Sequence, residues 1–334
     1  MLTGLQDSLL CRPACPICDS PRHQVLFSSP YTSYPVRNFI ESHYGNQGGW
    51  VNWNKLEGKD FVLCYCLDCG LIYQKYIPNE ATLHEIYDVM IGPKFLYELE
   101  LASLTVDNFE KIAGELDVLF RILGKHPAQT RFLDFGFGYG RWARVAVAMG
   151  AAVFATEISP EKISYANRIG VTIIDDNALA DMQFDIVHAE QVFEHLTFPR
   201  QDFKRLAQTL APQGIMKVAV PPQRNIRRLL KANGMIDWSP GADHWNSRTT
   251  RGRSRYSGYV CIEPLEHLNA YSQKAMQSLA RENNLKLISQ VRRQSVSLTL
   301  LSPALTGRSL VQLAKVMLRP VFRRDSGYYL FTPN

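Results

Sequence analysis

The stretch Arg131-Phe132-Leu133-Asp134-Phe135-Gly136-Phe137-Gly138-Tyr139-Gly140 decides the fold. A short apolar run ends in an acidic residue, then three glycines alternate with aromatics. Trp142-Ala143-Arg144-Val145-Ala146 resumes at helical spacing, so the order is strand, tight turn, helix. Glycines at such a turn can take positive φ and let a ligand approach the backbone, while the following helix N-terminus offers free N–H groups. That is the build of a nucleotide-type pocket. The dinucleotide fingerprint places its third glycine three positions after the second. Here the spacing is G-x-G-x-G behind Asp134, so residues further along the chain must decide the ligand.

Downstream, strands and helices alternate. Ala152-Val153-Phe154-Ala155-Thr156-Glu157 is a second strand ending in an acid roughly 20 residues beyond the turn, the placement that lets a carboxylate accept ribose hydroxyls. Ser159-Pro160-Glu161 opens a helix with a cap residue and a proline at the first helical position. A third strand, Val171 to Ile174, runs into Asp175-Asp176-Asn177, and a fourth, Phe184 to Glu190, into Gln191-Val192-Phe193-Glu194-His195-Leu196. A helix closing at Leu206 to Leu210, a turn at Ala211-Pro212-Gln213-Gly214 and a fifth strand from Ile215 to Pro222 come next. Leu285 to Ser289 reads as a sixth strand and Tyr328 to Thr332 as the last.

Asp134 with its G-x-G-x-G turn, Glu157, and the F-D-x-V strand followed by E-H-L together resemble the class I S-adenosylmethionine-dependent methyltransferases. The resemblance implies an α/β, Rossmann-like seven-stranded sheet whose last strand is antiparallel. It implies that S-adenosyl-L-methionine is held by Asp134, Gly136, Gly138 and Gly140 at its methionine part, by Glu157 at the ribose and by Asp176 at the adenine amino group, with Gln191 beside it. His195 is the leading candidate for a general base, since imidazole titrates near neutral pH; the other reading is that Glu194 and His195 brace the loop. A family of RNA 2′-O-methyltransferases places E-x-x-E-H here around a magnesium ion. Gln191 stands at the first of those positions, a neutral and poorer ligand, so no metal is expected there. Glu263 to Ser272 resembles the family's H-x-x-x-Y/F-S segment, which implies that His267 and Tyr271 line the acceptor pocket.

Six of the seven cysteines precede residue 70, four of them as Cys15-Pro16-Ile17-Cys18 and Cys66-Leu67-Asp68-Cys69. Two C-x-x-C pairs fit a closed, four-thiolate structural Zn2+ site with Cys15, Cys18, Cys66 and Cys69 as ligands, since a two-residue spacer lets both thiolates of a pair face one ion. Cys11 and Cys64 are spare thiols and stay open as alternative ligands, Cys64 fitting less well because it alternates with Cys66 on what reads as a strand. The segment between the pairs, roughly Tyr31 to Asp60, reads as an aromatic, loop-like insertion. Together with the Gly70-Leu71-Ile72-Tyr73 run and Pro78, this arrangement resembles bacterial methyltransferases with an N-terminal zinc-binding segment, sugar C-methyltransferases among them.

The expected partition is a zinc-knuckle segment at 1–78, a helical lid or linker at 79–125, and a methyltransferase domain at 126–334 carrying a basic insertion at 223–260; the helices at 79–125 read either as a lid, as the resemblance implies, or as packing against the sheet. That insertion holds eight Arg or Lys against two Asp. It reads either as a clamp for an anionic acceptor or as a solvated loop or subunit contact, with His244 a second candidate base. Ser309 to Phe322 reads as an apolar helix with basic flanks.

With 46% hydrophobic and 20% charged residues, a net charge of +6, no apolar run of about 18 residues and no basic-then-apolar leader, the 334-residue chain reads as globular and cytoplasmic, without a transmembrane segment. The expected activity is methyl transfer to a small-molecule acceptor, an anionic one or a nucleotide-linked sugar among them. RNA methylation is the alternative, so nucleic acid stays open as a partner, as does an oligomer. A non-catalytic zinc-bearing binding module that keeps the fold is the third reading.

Overall fold

The computed structural model describes residues 8–157, 159–223, 225–233, 259–288 and 327–334. The readings on His244, on most of the basic insertion and on the helix from Ser309 to Phe322 lie outside them. Contacts divide the chain into two compact units, one formed by 1–104, 190–205 and 219–283, the other by 105–189, 206–218 and 284–334. This division is not the linear one read from the sequence, because segments after the fourth strand return to build on the cysteine-bearing segment.

The second unit is organised on a seven-stranded sheet. Its order is Leu285–Leu287, Tyr328–Pro333, Leu210–Ala219, Phe184–Glu190, Arg131–Phe135, Ala152–Thr156 and Thr172–Ile173. The strand Arg131–Phe135 pairs parallel with both Ala152–Thr156 and Phe184–Glu190, and Tyr328–Pro333 runs antiparallel to Leu285–Leu287. This is the expected class I methyltransferase sheet with its antiparallel last strand. The chain leaves Arg131–Phe135 toward one edge and returns at Phe184–Glu190 on its other side, so the strand order reverses between them. In open α/β sheets that reversal opens a crevice outside the carboxyl ends of the strands.

Several boundaries differ from the sequence reading. Ala211-Pro212-Gln213-Gly214, expected as a turn, falls within Leu210–Ala219. The backbone still folds tightly there, since a Cβ on Gly214 would lie 2.8 Å from a Leu210 methyl. Helix Val106–Leu123 starts with Thr105 accepting from the Asn108 amide and stops at Gly124, whose φ of 70° ends the helix in the left-handed region. It buries Ile112, Leu116, Leu119, Phe120 and Leu123 at helical spacing, in one core with Phe132, Val153 and Ile186 of the sheet. Of the two readings of the helical segment, this helix follows the second, packing against the sheet.

In the first unit, Asp60–Cys66 lies between His23–Pro30 and Ile72–Gln74 in a four-stranded sheet that Asn269–Ala270 completes. The register Asn269↔Tyr73 and Ala270↔Ile72 puts the H-x-x-x-Y segment on the knuckle sheet. The insertion expected as a loop between the cysteine pairs is largely regular. Helix Val36–Asn46 buries Val36, Phe39, Ile40, His43 and Tyr44, one face of a 3.6-residue period. The many aromatics obscured that pattern in the sequence; Tyr31, Tyr44 and Phe61 are fully buried core. Among the described residues no helix is long and apolar enough to cross a membrane.

Candidate active site

In the sheet unit, Gly136, Gly138 and Gly140 take φ of 81°, 56° and 67°, all in the region that side chains disfavour. The Gly140 amide donates to the Phe137 carbonyl at 2.8 Å, and the Gly140 carbonyl accepts from the Arg144 amide to begin the helix Arg141–Ala148. A Cβ on Gly140 would lie 2.4 Å from the Phe137 ring, whereas one on Gly138 would meet nothing within 4 Å. The space beside Gly138 is thus free for a ligand to reach the backbone.

Asp134 lies beneath the turn. Its carboxylate accepts from the Ala143 amide and pairs with His188 Nδ1 at 2.9 Å across the register Asp134↔His188. Lys217 Nζ stands 3.3 Å from His188 Nε2. An ammonium only donates, so Nε2 accepts and Nδ1 carries the proton given to Asp134. Lys217 also lies 3.5 Å from Glu115 Oε2 and 3.7 Å from the Trp142 ring centroid. Burial pushes the Asp134 carboxyl up to about 7, against the Ala143 amide and the Lys217 charge. Sequence reasoning missed His188 and Lys217; the available signal was a polar residue inside an otherwise apolar strand.

Glu157 follows the strand Ala152–Thr156. One of its oxygens accepts from the Ser159 amide at 3.0 Å and the other lies 3.8 Å from Lys162 Nζ. Ser159, expected to cap through its side chain, makes no such bond and takes part through its backbone instead. Asp175 is the true cap of the helix Asp176–Ala180, accepting from the Ala178 amide at 2.8 Å, and Asp176 is that helix's first residue. Gln191, in the first unit, has φ of 56°, is exposed, and donates its backbone amide to the Ala219 carbonyl at 2.8 Å.

The other expected site residues also belong to the first unit. The turn Phe193–His195 is held from beneath, because the Tyr271 hydroxyl donates to the Phe193 carbonyl at 2.9 Å. Tyr271 is fully buried, which makes it a positioning residue for that turn. Glu194, His195 and His267 each offer one atom to a group lying within 4.8 Å of one another, and the two imidazoles meet edge to face with centroids 4.7 Å apart. Burial, with His267 alongside, lowers His195 to about 4, and burial raises Glu194 to about 7. Around them, Glu266 accepts from or pairs with His43 at 2.9 Å, and Gln47 contacts the same His43 nitrogen. The sequence reading placed no role on His43, Glu263 or Glu266, although E-P-L-E-H sets Glu263 three residues before Glu266 and four before His267.

The sulfur atoms of Cys15, Cys18, Cys66 and Cys69 also lie within 4.8 Å of one another, with Cys15–Cys69 and Cys18–Cys66 at 3.5 Å. A tetrahedral ion with Zn–S bonds of about 2.3 Å needs sulfur pairs about 3.8 Å apart. The Cys69 amide points at Cys66 Sγ at 3.5 Å, as outer-shell donors do to ligating thiolates. Neither Cys11 nor Cys64 joins the group; Cys64 is buried on its strand opposite Tyr73. The donor set fits a zinc ion.

The family described as "Methyltransferase domain" matches residues 107–290 of the 334. A ubiquinone biosynthesis O-methyltransferase of Parvibaculum lavamentivorans is 27% identical over 146 residues, 41% of this chain and 55% of that protein. The chain therefore spans little more than half the length of that relative. The enzyme of the same name from Azorhizobium caulinodans is 27% identical over 184 residues, covering 50% of this chain and 70% of that one. Among solved structures, a TehB-like S-adenosylmethionine-dependent methyltransferase from Corynebacterium glutamicum is 14% identical with a TM-score of 0.40, covering 77% of this chain and all of that one.

Proposed function

The chain belongs to the methyltransferase-domain family, and from that premise we propose that it is a class I S-adenosylmethionine-dependent enzyme that methylates a hydroxyl oxygen of a small-molecule acceptor. The observation that carries the donor half is the reversal of strand order beside three left-handed glycines, with Glu157 at the end of the neighbouring strand. In this reading the donor's methionine part lies along Gly136, Gly138 and Gly140, and Glu157 accepts from the ribose hydroxyls. Asp134 holds the turn from below through Ala143 and His188. The oxygen acceptor is supported by the activity for which the relatives are named, and a nucleotide-linked sugar is one such acceptor.

The reaction transfers the sulfonium methyl in line: the S–C bond breaks as the O–C bond forms, sulfur keeps the electron pair, and the acceptor gives up one proton. Glu194, His195 and His267, in the first unit, are the residues assigned to that proton, and both imidazoles keep Nδ1 on backbone carbonyls. Cys15, Cys18, Cys66 and Cys69 hold a structural zinc ion with no open position, so it takes no part in transfer.

Calorimetry with S-adenosylhomocysteine, followed by screening of phenolic and sugar-nucleotide acceptors for methyl transfer, tests the reading. Binding with turnover on at least one hydroxyl acceptor is the expected result. Binding accompanied by methylation of only nitrogen or carbon acceptors would overturn the oxygen assignment.

A further inference from the structure

The carboxylate of Glu194 is fully buried, and among the described residues neither of its oxygens has a hydrogen-bond partner. A buried carboxylate without a hydrogen-bond partner is expensive, and a bound cation would relieve that cost. His195 Nε2 stands 4.0 Å away, and His267 joins the same cluster. Neither histidine is oriented as a simple hydrogen-bond partner of that carboxylate. His195 Nδ1 lies 3.1 Å from the Glu266 carbonyl and 3.2 Å from the Tyr87 hydroxyl, and His267 Nδ1 meets the Val260 carbonyl with Glu263 Oε2 at 3.5 Å. A carbonyl only accepts, so both rings carry their proton on Nδ1 and present the Nε2 lone pair. Imidazoles that ligate a metal are commonly fixed in this way, with the distal N–H on a carbonyl or carboxylate.

We propose that Glu194 and the Nε2 atoms of His195 and His267 bind one divalent first-row transition-metal ion. One carboxylate and two imidazoles suit such an ion better than magnesium, which prefers an oxygen shell, or the soft four-thiolate site. This reverses the expectation drawn from Gln191, since His267, distant in sequence, supplies a ligand that the turn lacks. Tetrahedral bonds of about 2.0–2.2 Å set ligand atoms about 3.3–3.6 Å from one another, so atoms that now lie within 4.8 Å close by about an ångström per pair. Three protein ligands leave positions open, and about a quarter of the His195 side chain is exposed, so one side of the site can be reached. Resting on the function proposed above, an ion held there would lower the pKa of a hydroxyl bound at its open position, so the cluster would act on that proton by acidifying the hydroxyl rather than by accepting it on Nε2.

The test uses the full chain, freed of weakly held metal by a mild chelator while its zinc content stays at about one per chain. It is titrated with Mn2+ followed by electron paramagnetic resonance, then with Zn2+ by calorimetry. The expected result is about one further ion per chain, bound at least tenfold more weakly in Glu194→Gln and in His267→Gln. A melting temperature that metal raises in the unsubstituted protein but not in Glu194→Gln supports the same site. The metal-free Glu194→Gln protein should melt higher than the metal-free parent, because it no longer buries an unpaired charge; a lower melting point would show that Glu194 already has its partner. Absence of a second ion for both metals, or equal binding in the variants, overturns the proposal. S-Adenosylhomocysteine binding, measured in parallel, separates the outcomes: its loss with metal binding kept would sink the methyl-transfer reading alone.

Discussion

Replacing Gly140 and Gly138 separately by alanine tests how the turn is built. Both have positive φ, so either alanine meets a left-handed backbone cost of about 1–2 kcal/mol. At Gly138 nothing lies within 4 Å of the added methyl, and the backbone cost is the whole effect on folding. At Gly140 the methyl would come within 2.4–2.5 Å of two Phe137 ring atoms. Phe137 is buried in the same core as Phe132, Ala143 and Val153, so its ring has little room to retreat. Overpacking of this kind adds about 1–3 kcal/mol. The Gly140→Ala protein should therefore be less stable than Gly138→Ala by about 1–3 kcal/mol in urea unfolding followed by tryptophan fluorescence. Binding should rank the other way per unit of stability lost. Gly138→Ala points its methyl into the space assigned to the donor and should weaken S-adenosylhomocysteine at least tenfold while the fold is nearly kept. Equal stability of the two variants would refute the steric account of Gly140, and unchanged affinity in Gly138→Ala would remove the donor from that space.

Glu157→Ala should weaken S-adenosylhomocysteine by about 10–100-fold in calorimetry, the worth of about 1.5–3 kcal/mol for hydrogen bonds to a charged group; unchanged affinity would remove Glu157 from the ribose. Asp134 is raised by burial from 3.8 to about 7, so its protonated form is the one the fold prefers. The stability this contributes is fully present below about pH 4 and is lost as pH rises through 7, by up to about 1.4 kcal/mol per pH unit. Asp134→Asn should remove that slope in a series of unfolding curves, and a parallel pH dependence in both proteins would show that another group sets it. Cys66→Ser should lower the bound zinc measured by elemental analysis and loosen the first unit in hydrogen exchange, Asn269–Ala270 included, because that strand pairs on the knuckle sheet. S-Adenosylhomocysteine affinity should change less than tenfold, since the glycine turn and Glu157 belong to the other unit; a larger loss would mean that the two units do not fold separately.

Much of the sheet unit was legible because its signals are local. Apolar runs of strand length, the three glycines and the acid ending the second strand all lie within a few residues of what they specify, and the structure keeps them in place. The two C-x-x-C pairs were legible for the same reason, although their convergence across residues 19–65 is a tertiary fact. The helix Val36–Asn46 was missed because its buried face mixes Val36, Phe39 and Ile40 with His43 and Tyr44, and polar aromatics blur an apolar period.

From its sequence alone this protein was determined to be an alternating α/β chain with a glycine turn, an acid after the second strand and four cysteines in two C-x-x-C pairs, because backbone conformation and side-chain period are properties of neighbouring residues. Only the tertiary structure decided that Asp134 answers to His188 and Lys217, that residues 269–270 complete a sheet begun at residue 23, and that the unpaired carboxylate of Glu194 shares a cluster with His267. Each of those pairings joins residues about 30 to 200 positions apart in the chain, where no local period links them, and arises only when packing closes the intervening segments into loops.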